Sequence, residues 1–196
     1  MEEDDKTDNK KDITIDSSLF EKKKRNKKSE NLIEIQPKIP KKRVVTTTEE
    51  WKFNSNELIP DNQLEYINQI YKNMINDDNP CKFIKKQLQQ KINGYRFQDI
   101  KKNKYEEEFF INSMEVLELM LKTENLCFYC KKKVYVLYEN VREPLQWTLE
   151  RINNEIGHNK ENVVIACLNC NLRRRTMYYE RYLFTKELNI VKMENL

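Results

Sequence analysis

The sequence predicts an α+β fold in three parts: a disordered charged tail over residues 1–60, a helical region with a basic stretch over 61–125, and a small mixed segment with a C-terminal helix over 126–196. Three observations predict it. Apolar residues recur with a helical period from Gln63 onward, short β-branched and aromatic runs replace that period beyond about residue 126, and two Cys-x-x-Cys pairs bracket those runs. A chain of 196 residues accommodates one domain of ordinary size plus a tail.

The tail follows from composition. Residues 1–60 alternate charge runs with Asn, Thr and Ser and carry few apolar positions spaced for burial, too few to offset the entropy of ordering. Within it, Lys22–Lys28 (KKKRNKK) and Lys41–Arg43 (KKR) read either as a nuclear import signal, as a loose phosphate-binding arm, or as plain solvated charge. Trp51 and Phe53 mark where the tail is expected to meet the folded part.

In the helical region Leu64, Ile67, Ile70, Tyr71, Met74 and Ile75 form one apolar stripe, and Pro80 is expected to close that helix. A second helix follows in CKFIKKQLQQKI, with Phe83, Ile84, Leu88 and Ile92 on one side; Gly94 is expected to interrupt it. From Cys81 to Lys104 eight Lys or Arg face a single acid, Asp99, a surplus of seven positive charges that suggests a polyanion partner more than the chain's total of +4 does. Lys85, Lys86, Lys91 and Arg96, interleaved with Tyr95 and Phe97, are the candidate nucleic-acid contacts; an amphipathic helix with solvated lysines is the competing reading. A third helix is predicted near MEVLELMLK, where Asn112 and Glu115 have the spacing of a capping box.

The runs VYVLY (134–138), LQWTL (145–149) and NVVIA (162–166) are predicted strands, and residues 168–188 a final helix. The cysteines Cys127 and Cys130, and after 36 intervening residues Cys167 and Cys170, are spaced to complete a tetrahedron around Zn²⁺ as a structural site. A redox pair is the weaker alternative, and Cys81 is expected to pack as a small hydrophobe.

Strand, loop, strand and helix, with Leu149-Glu150-Arg151-Ile152 ending the first strand, Asn162 ahead of VVIAC and Asn171 directly after the second Cys-x-x-Cys, resembles the HNH endonucleases and their ββα-metal fold over about residues 127–175. The resemblance implies a metal-dependent endonuclease hydrolysing DNA phosphodiester bonds. It places Glu150 and Asn171 as ligands of a divalent cation such as Mg²⁺ or Mn²⁺, and Asn162 as the brace of the active-site loop. Arg151 stands where the family has its general-base histidine, a proton acceptor that arginine cannot be. Arginine can still grip a phosphate or stabilise charge in the transition state.

The chain's only histidine, His158, lies seven residues on. It reads as the base or a metal ligand, as a contact to phosphate or water, or as a loop residue that faces solvent or caps the turn after Gly157. Glu150 could instead pair on the surface with Arg151 or Arg173, and Asn162 and Asn171 could serve as turn and helix-start hydrogen-bonding residues. Arg173 and Arg174, followed by Arg175, are further candidate nucleic-acid contacts, since two of three successive helical arginines can reach one backbone.

The sequence-level reading is therefore an HNH-type hydrolase acting on DNA, with structural zinc and a catalytic divalent cation. The rivals are a catalytically silent, zinc-stabilised nucleic-acid-binding module, and a subunit of a nucleic-acid-processing complex that docks through its tail and helices. No apolar run approaches the ~20 residues of a membrane span and the N-terminus lacks a signal-peptide core, so an intracellular protein, cytoplasmic or nuclear, without a membrane partner is expected.

Overall fold

The computed structural model describes residues 11–15, 39–48, 54–74 and 79–192. Contacts divide the chain into two units, one of Pro40–Tyr179 and one combining Met1–Ile39 with Glu180–Leu196. The elements in order are β1 (Lys11–Ile15), α1 (Val44–Thr47), a 3-10 turn (Ser55–Leu58), α2 (Pro60–Tyr71), α3 (Asn79–Lys101), α4 (Ser113–Lys122), β2 (Trp147–Arg151), β3 (Val163–Cys167), α5 (Leu168–Arg174), α6 (Tyr179–Glu187) and β4 (Leu188–Lys192). The fold is mixed, as expected: helices with a small antiparallel sheet of β2 and β3, and a separate parallel pair of β1 and β4.

Most of the span read as a tail, including Lys22–Lys28, Trp51 and Phe53, lies outside the described residues. Its described parts form elements. Lys41–Arg43 does not dangle: the Arg43 amide donates to the Glu139 carbonyl at 2.8 Å, its guanidinium sits 4.3 Å from the Tyr138 ring centre and bonds Gln87, and Lys42 pairs with Glu139 at 3.2 Å.

The helical region forms with three boundaries displaced. The stripe buries Ile67 and Ile70, but α2 begins at Pro60, a ring suited to a first turn, and ends at Tyr71, with Asn73 in the left-handed region (φ 53°). Pro80 lies in the first turn of α3, so it opens the next helix where closing the previous one was expected. Gly94 does not interrupt α3. Its position is exposed with nothing within 4 Å of a would-be Cβ, and a solvent-facing glycine costs a helix only about 1 kcal/mol. The helix runs on to Lys101, where Asn103 (φ 55°) and the Lys104 amide on the Asp99 carbonyl turn the chain. At α4 the capping box is present: Asn112 Oδ1 accepts from the Met114 and Glu115 amides, and Glu115 accepts from the Asn112 amide. The helices α2, α3 and α4 pack together around Ile67, Ile84, Leu117 and Met120.

VYVLY is not a strand. Tyr135 forms one isolated bridge to Gln146, and the amides of Val136 and Leu137 donate to the buried side chain of Gln63, which returns a bond to the Leu137 carbonyl. A side chain therefore supplies the hydrogen bonds that a neighbouring strand would. The other two predicted strands pair antiparallel, with Trp147 opposite Cys167 and Glu150 opposite Val164. The final helix is broken: α5 ends at Arg174, and Arg175, with a φ of 54°, leaves the helical conformation before α6 begins. No helix among the described residues is long and apolar enough to cross a membrane.

Candidate active site and metal centre

The four cysteines predicted as ligands come together. Phe128 and Cys127 hold the first knuckle through the Ile165 and Lys132 carbonyls, while the second pair starts α5, with the Cys167 sulfur accepting from the Cys170 amide. All four sulfurs lie within 4.8 Å of one another and none is in a disulfide. The Cys130–Cys167 separation of 3.9 Å matches the edge of roughly 3.8 Å that a tetrahedron with Zn–S bonds of about 2.3 Å requires. Hydrogen bonds from Cys167 and Cys170 hold the Cys127 thiol far below its usual range, and the same crowding pushes Cys167 up and Cys170 to about 11. Four buried or half-buried sulfurs so arranged are compatible with a closed metal site such as zinc, with no open position for chemistry. The fifth cysteine, Cys81, is buried in the helical core, as expected.

The hairpin and α5 form one wall of a cavity of about 400 Å³, and the C-terminal half of α3 forms another. Glu150 and Arg151 from β2, Asn171 from α5 and His158 from the intervening loop all line it, together with Tyr95, Lys102, Thr148 and Arg175. Four of the five sequence-derived catalytic candidates thus share one cavity. The fifth, Asn162, sits behind the loop and braces it. Its amide group donates to the Asn153 and Gly157 carbonyls at 2.9 Å each and accepts from the Asn153 amide at 2.8 Å.

His158 is only 3% exposed, and its surroundings fix it on every side. Its Nδ1 lies 2.9 Å from both carboxylate oxygens of Asp99, its amide donates to Asp99 Oδ2 at 2.6 Å, and its carbonyl accepts from the Ile111 amide at 3.0 Å. The Tyr95 ring packs on the imidazole at 4.5 Å. Burial lowers the imidazole's pKa, with the Asp99 carboxylate opposing, and Arg151 and Lys102 lowering it further. Gly157 permits this approach, since a Cβ there would meet the Lys104 carbonyl oxygen at 2.2 Å. The reading of His158 as a solvent-facing loop residue is corrected: it is an anchored, buried group beside the cavity.

Glu150 is not paired with Arg151 or Arg173 at the surface. It is buried, and its Oε1 accepts from Arg174. Burial pushes its carboxyl up while Arg174 pulls it back down. Arg174 also donates to the carbonyls of Arg151 at 2.6 Å and Ile152 at 2.8 Å. Arg151 itself turns to the loop, donating to the carbonyls of Asn154 at 3.3 Å and Ile156 at 3.2 Å. Asn171 donates to Thr148 Oγ1 at 3.1 Å, which leaves its carbonyl oxygen as an acceptor at the cavity.

Two of the expected nucleic-acid contacts are corrected. Arg174 is 1% exposed and serves as an internal clamp through its two terminal nitrogens. Lys91 donates to the Trp147 carbonyl and to Gln146 Oε1, lies 4.5 Å from the Trp147 ring centre, and is pushed down to about 7 by burial and by Arg43. Neither can reach a phosphate. Lys85, Lys86, Arg96 and Arg173 are exposed but do not line the cavity; Lys102 and Arg175 do.

Asp99 is the site residue that sequence reasoning missed. Its signal was present, as the lone acid in a run of eight basic residues, but nothing local tied it to a loop 59 positions away. Comparison with family models, with curated proteins and with solved structures gives no match to this chain.

Proposed function

We propose that the chain is a metal-dependent endonuclease of the HNH type, hydrolysing DNA phosphodiester bonds, with a structural zinc held by Cys127, Cys130, Cys167 and Cys170. The single observation that carries this reading is the gathering of His158, Glu150, Arg151 and Asn171 around one cavity whose other charged lining residues, Lys102 and Arg175, are cationic. A polar cleft with that rim suits a phosphodiester.

His158 acts as the general base. Its remaining nitrogen, Nε2, takes a proton from water; the water oxygen attacks phosphorus, and the deoxyribose oxygen leaves with the bonding pair and takes a proton from solvent water. Burial keeps the imidazole neutral near pH 7, the form that can accept that proton. Arg151 and Lys102 offset the charge that builds on the phosphoryl oxygens. The carboxylate of Glu150 and the side-chain oxygen of Asn171 are an oxygen donor set of the kind Mg²⁺ or Mn²⁺ accepts alongside waters and a phosphate, and these two residues would hold the cation. When bound, it supplies Lewis-acid stabilisation of the reacting phosphate.

One observation favours a second reading, a catalytically silent nucleic-acid-binding module: the bond from Arg174 to Glu150 already satisfies part of the carboxylate that the cation needs. Incubation of the full-length protein with supercoiled plasmid and Mg²⁺ or Mn²⁺ separates the two. Open-circle product supports the nuclease; retention of plasmid in a gel shift at low salt, with no nicking under either metal, supports the module.

A further inference from the structure

We propose that Asp99 is the positioning residue of this site, fixing the imidazole of His158 in the tautomer protonated on Nδ1, so that a helix outside the ββα segment completes the active centre. The inference rests on the reading of His158 as the base, and adds what makes it one.

The argument begins with Asp99 itself, which is 0% exposed. A buried carboxylate is retained only where hydrogen-bond donors meet it. Here both oxygens turn to one residue: Oδ2 accepts the His158 amide at 2.6 Å, and both lie 2.9 Å from Nδ1. An ionised carboxylate has no proton to give, so Nδ1 must be the donor. The neutral imidazole then carries its lone pair on Nε2, the nitrogen left for the cavity. The same carboxylate that sets the tautomer also sets the ring's place, since it grips the backbone and the side chain of His158 together. Ring rotation is blocked on the flat side by Tyr95 at 4.5 Å. The contact requires Gly157, whose would-be Cβ lies 2.9 Å from Asp99 Oδ2. Besides Asp99, the charged groups that bear on the imidazole are Lys102, in the turn just after α3, and Arg151 on β2, both cations that disfavour a second proton.

The substitution Asp99→Asn distinguishes this from a loop anchor. The backbone N–H of His158 can only donate, so it claims the amide oxygen, and the amide NH₂ then faces Nδ1. An NH₂ at the Oδ1 position, 2.9 Å from Nδ1, repels a proton there and favours the ring protonated on Nε2, which removes the base while keeping the loop bond.

Because the chain has one histidine, its tautomer is readable without assignment from two-bond nitrogen–proton NMR spectra of the labelled full-length protein at pH 7.5. The expected result is an Nδ1-protonated ring in the natural protein and an Nε2-protonated ring in Asp99→Asn. With it, kcat for plasmid nicking should fall about 100-fold and KM should change less than about twofold. An Nε2-protonated ring in the natural protein overturns the inference, and does so even if the variant fails to fold. Unchanged kcat in a folded Asp99→Asn also overturns it. A tautomer that switches as expected in a protein that nicks nothing supports the role of Asp99 and overturns the nuclease reading alone.

Discussion

The guanidinium of Arg174 is enclosed with the Glu150 carboxylate and the carbonyls of Arg151 and Ile152, so it neutralises a buried charge and ties the end of β2 to α5. Arg174→Ala would strand Glu150 without its partner. Urea unfolding should show a loss of about 3–5 kcal/mol, the cost of breaking a buried pair by removing one member. His158 gives a pH-dependent counterpart. Burial holds its folded pKa below the ordinary 6.5, so between that lowered value and 6.5 the unfolded chain binds more protons than the folded protein. The stability associated with neutral His158 is complete above about 6.5 and is lost as pH falls through the folded value. The urea midpoint should therefore drop on going from pH 7 to pH 5, and drop less in His158→Gln. At this scale the clustering of the four cysteines was legible, because two Cys-x-x-Cys pairs at that spacing suit one shared ion. Arg174 was not: a basic residue at the C-terminal end of a short helix looks solvated until the carboxylate 24 positions away folds over it.

Among the elements, those specified by neighbours in sequence were the readable ones. The capping box at Asn112 and Glu115 needs only a three-residue spacing, and the β2–β3 hairpin needs only two β-branched runs. The segment Val134–Tyr138 has the composition of a strand, yet at Val136 and Leu137 its hydrogen bonds go to Gln63, some 73 residues earlier, and no periodicity reveals that substitution. Gln63→Leu tests it. Two amides and a carbonyl would be left buried without partners, and denaturant unfolding should report a loss of about 2–4 kcal/mol with the cysteine cluster intact. The continuation of α3 past Gly94 matters for the same reason. Had the helix ended there, Tyr95 and Asp99 would not stand on one rigid element beside the hairpin.

Across the unit of Pro40–Tyr179, α3 is joined to the hairpin and its loop at Lys91 against Trp147, at Tyr95 against Leu149 and at Asp99 against His158, while the cysteine cluster ties the segment before the hairpin to the start of α5. On the zinc reading the ion's binding energy is part of the folding energy. Cys170→Ser should lose bound zinc, read by elemental analysis, and lower the thermal midpoint by about 10 °C, as a loss of roughly 4 kcal/mol does in a chain of this size. The function depends on whether the cavity between α3 and the hairpin performs proton transfer. The rate of plasmid nicking by zinc-loaded full-length protein with Mn²⁺, compared between the natural sequence and His158→Ala, decides that most directly. A fall of at least about 100-fold, with zinc content and DNA retention unchanged, is the expected result. Equal rates in the two proteins, or no nicking by either, would contradict it.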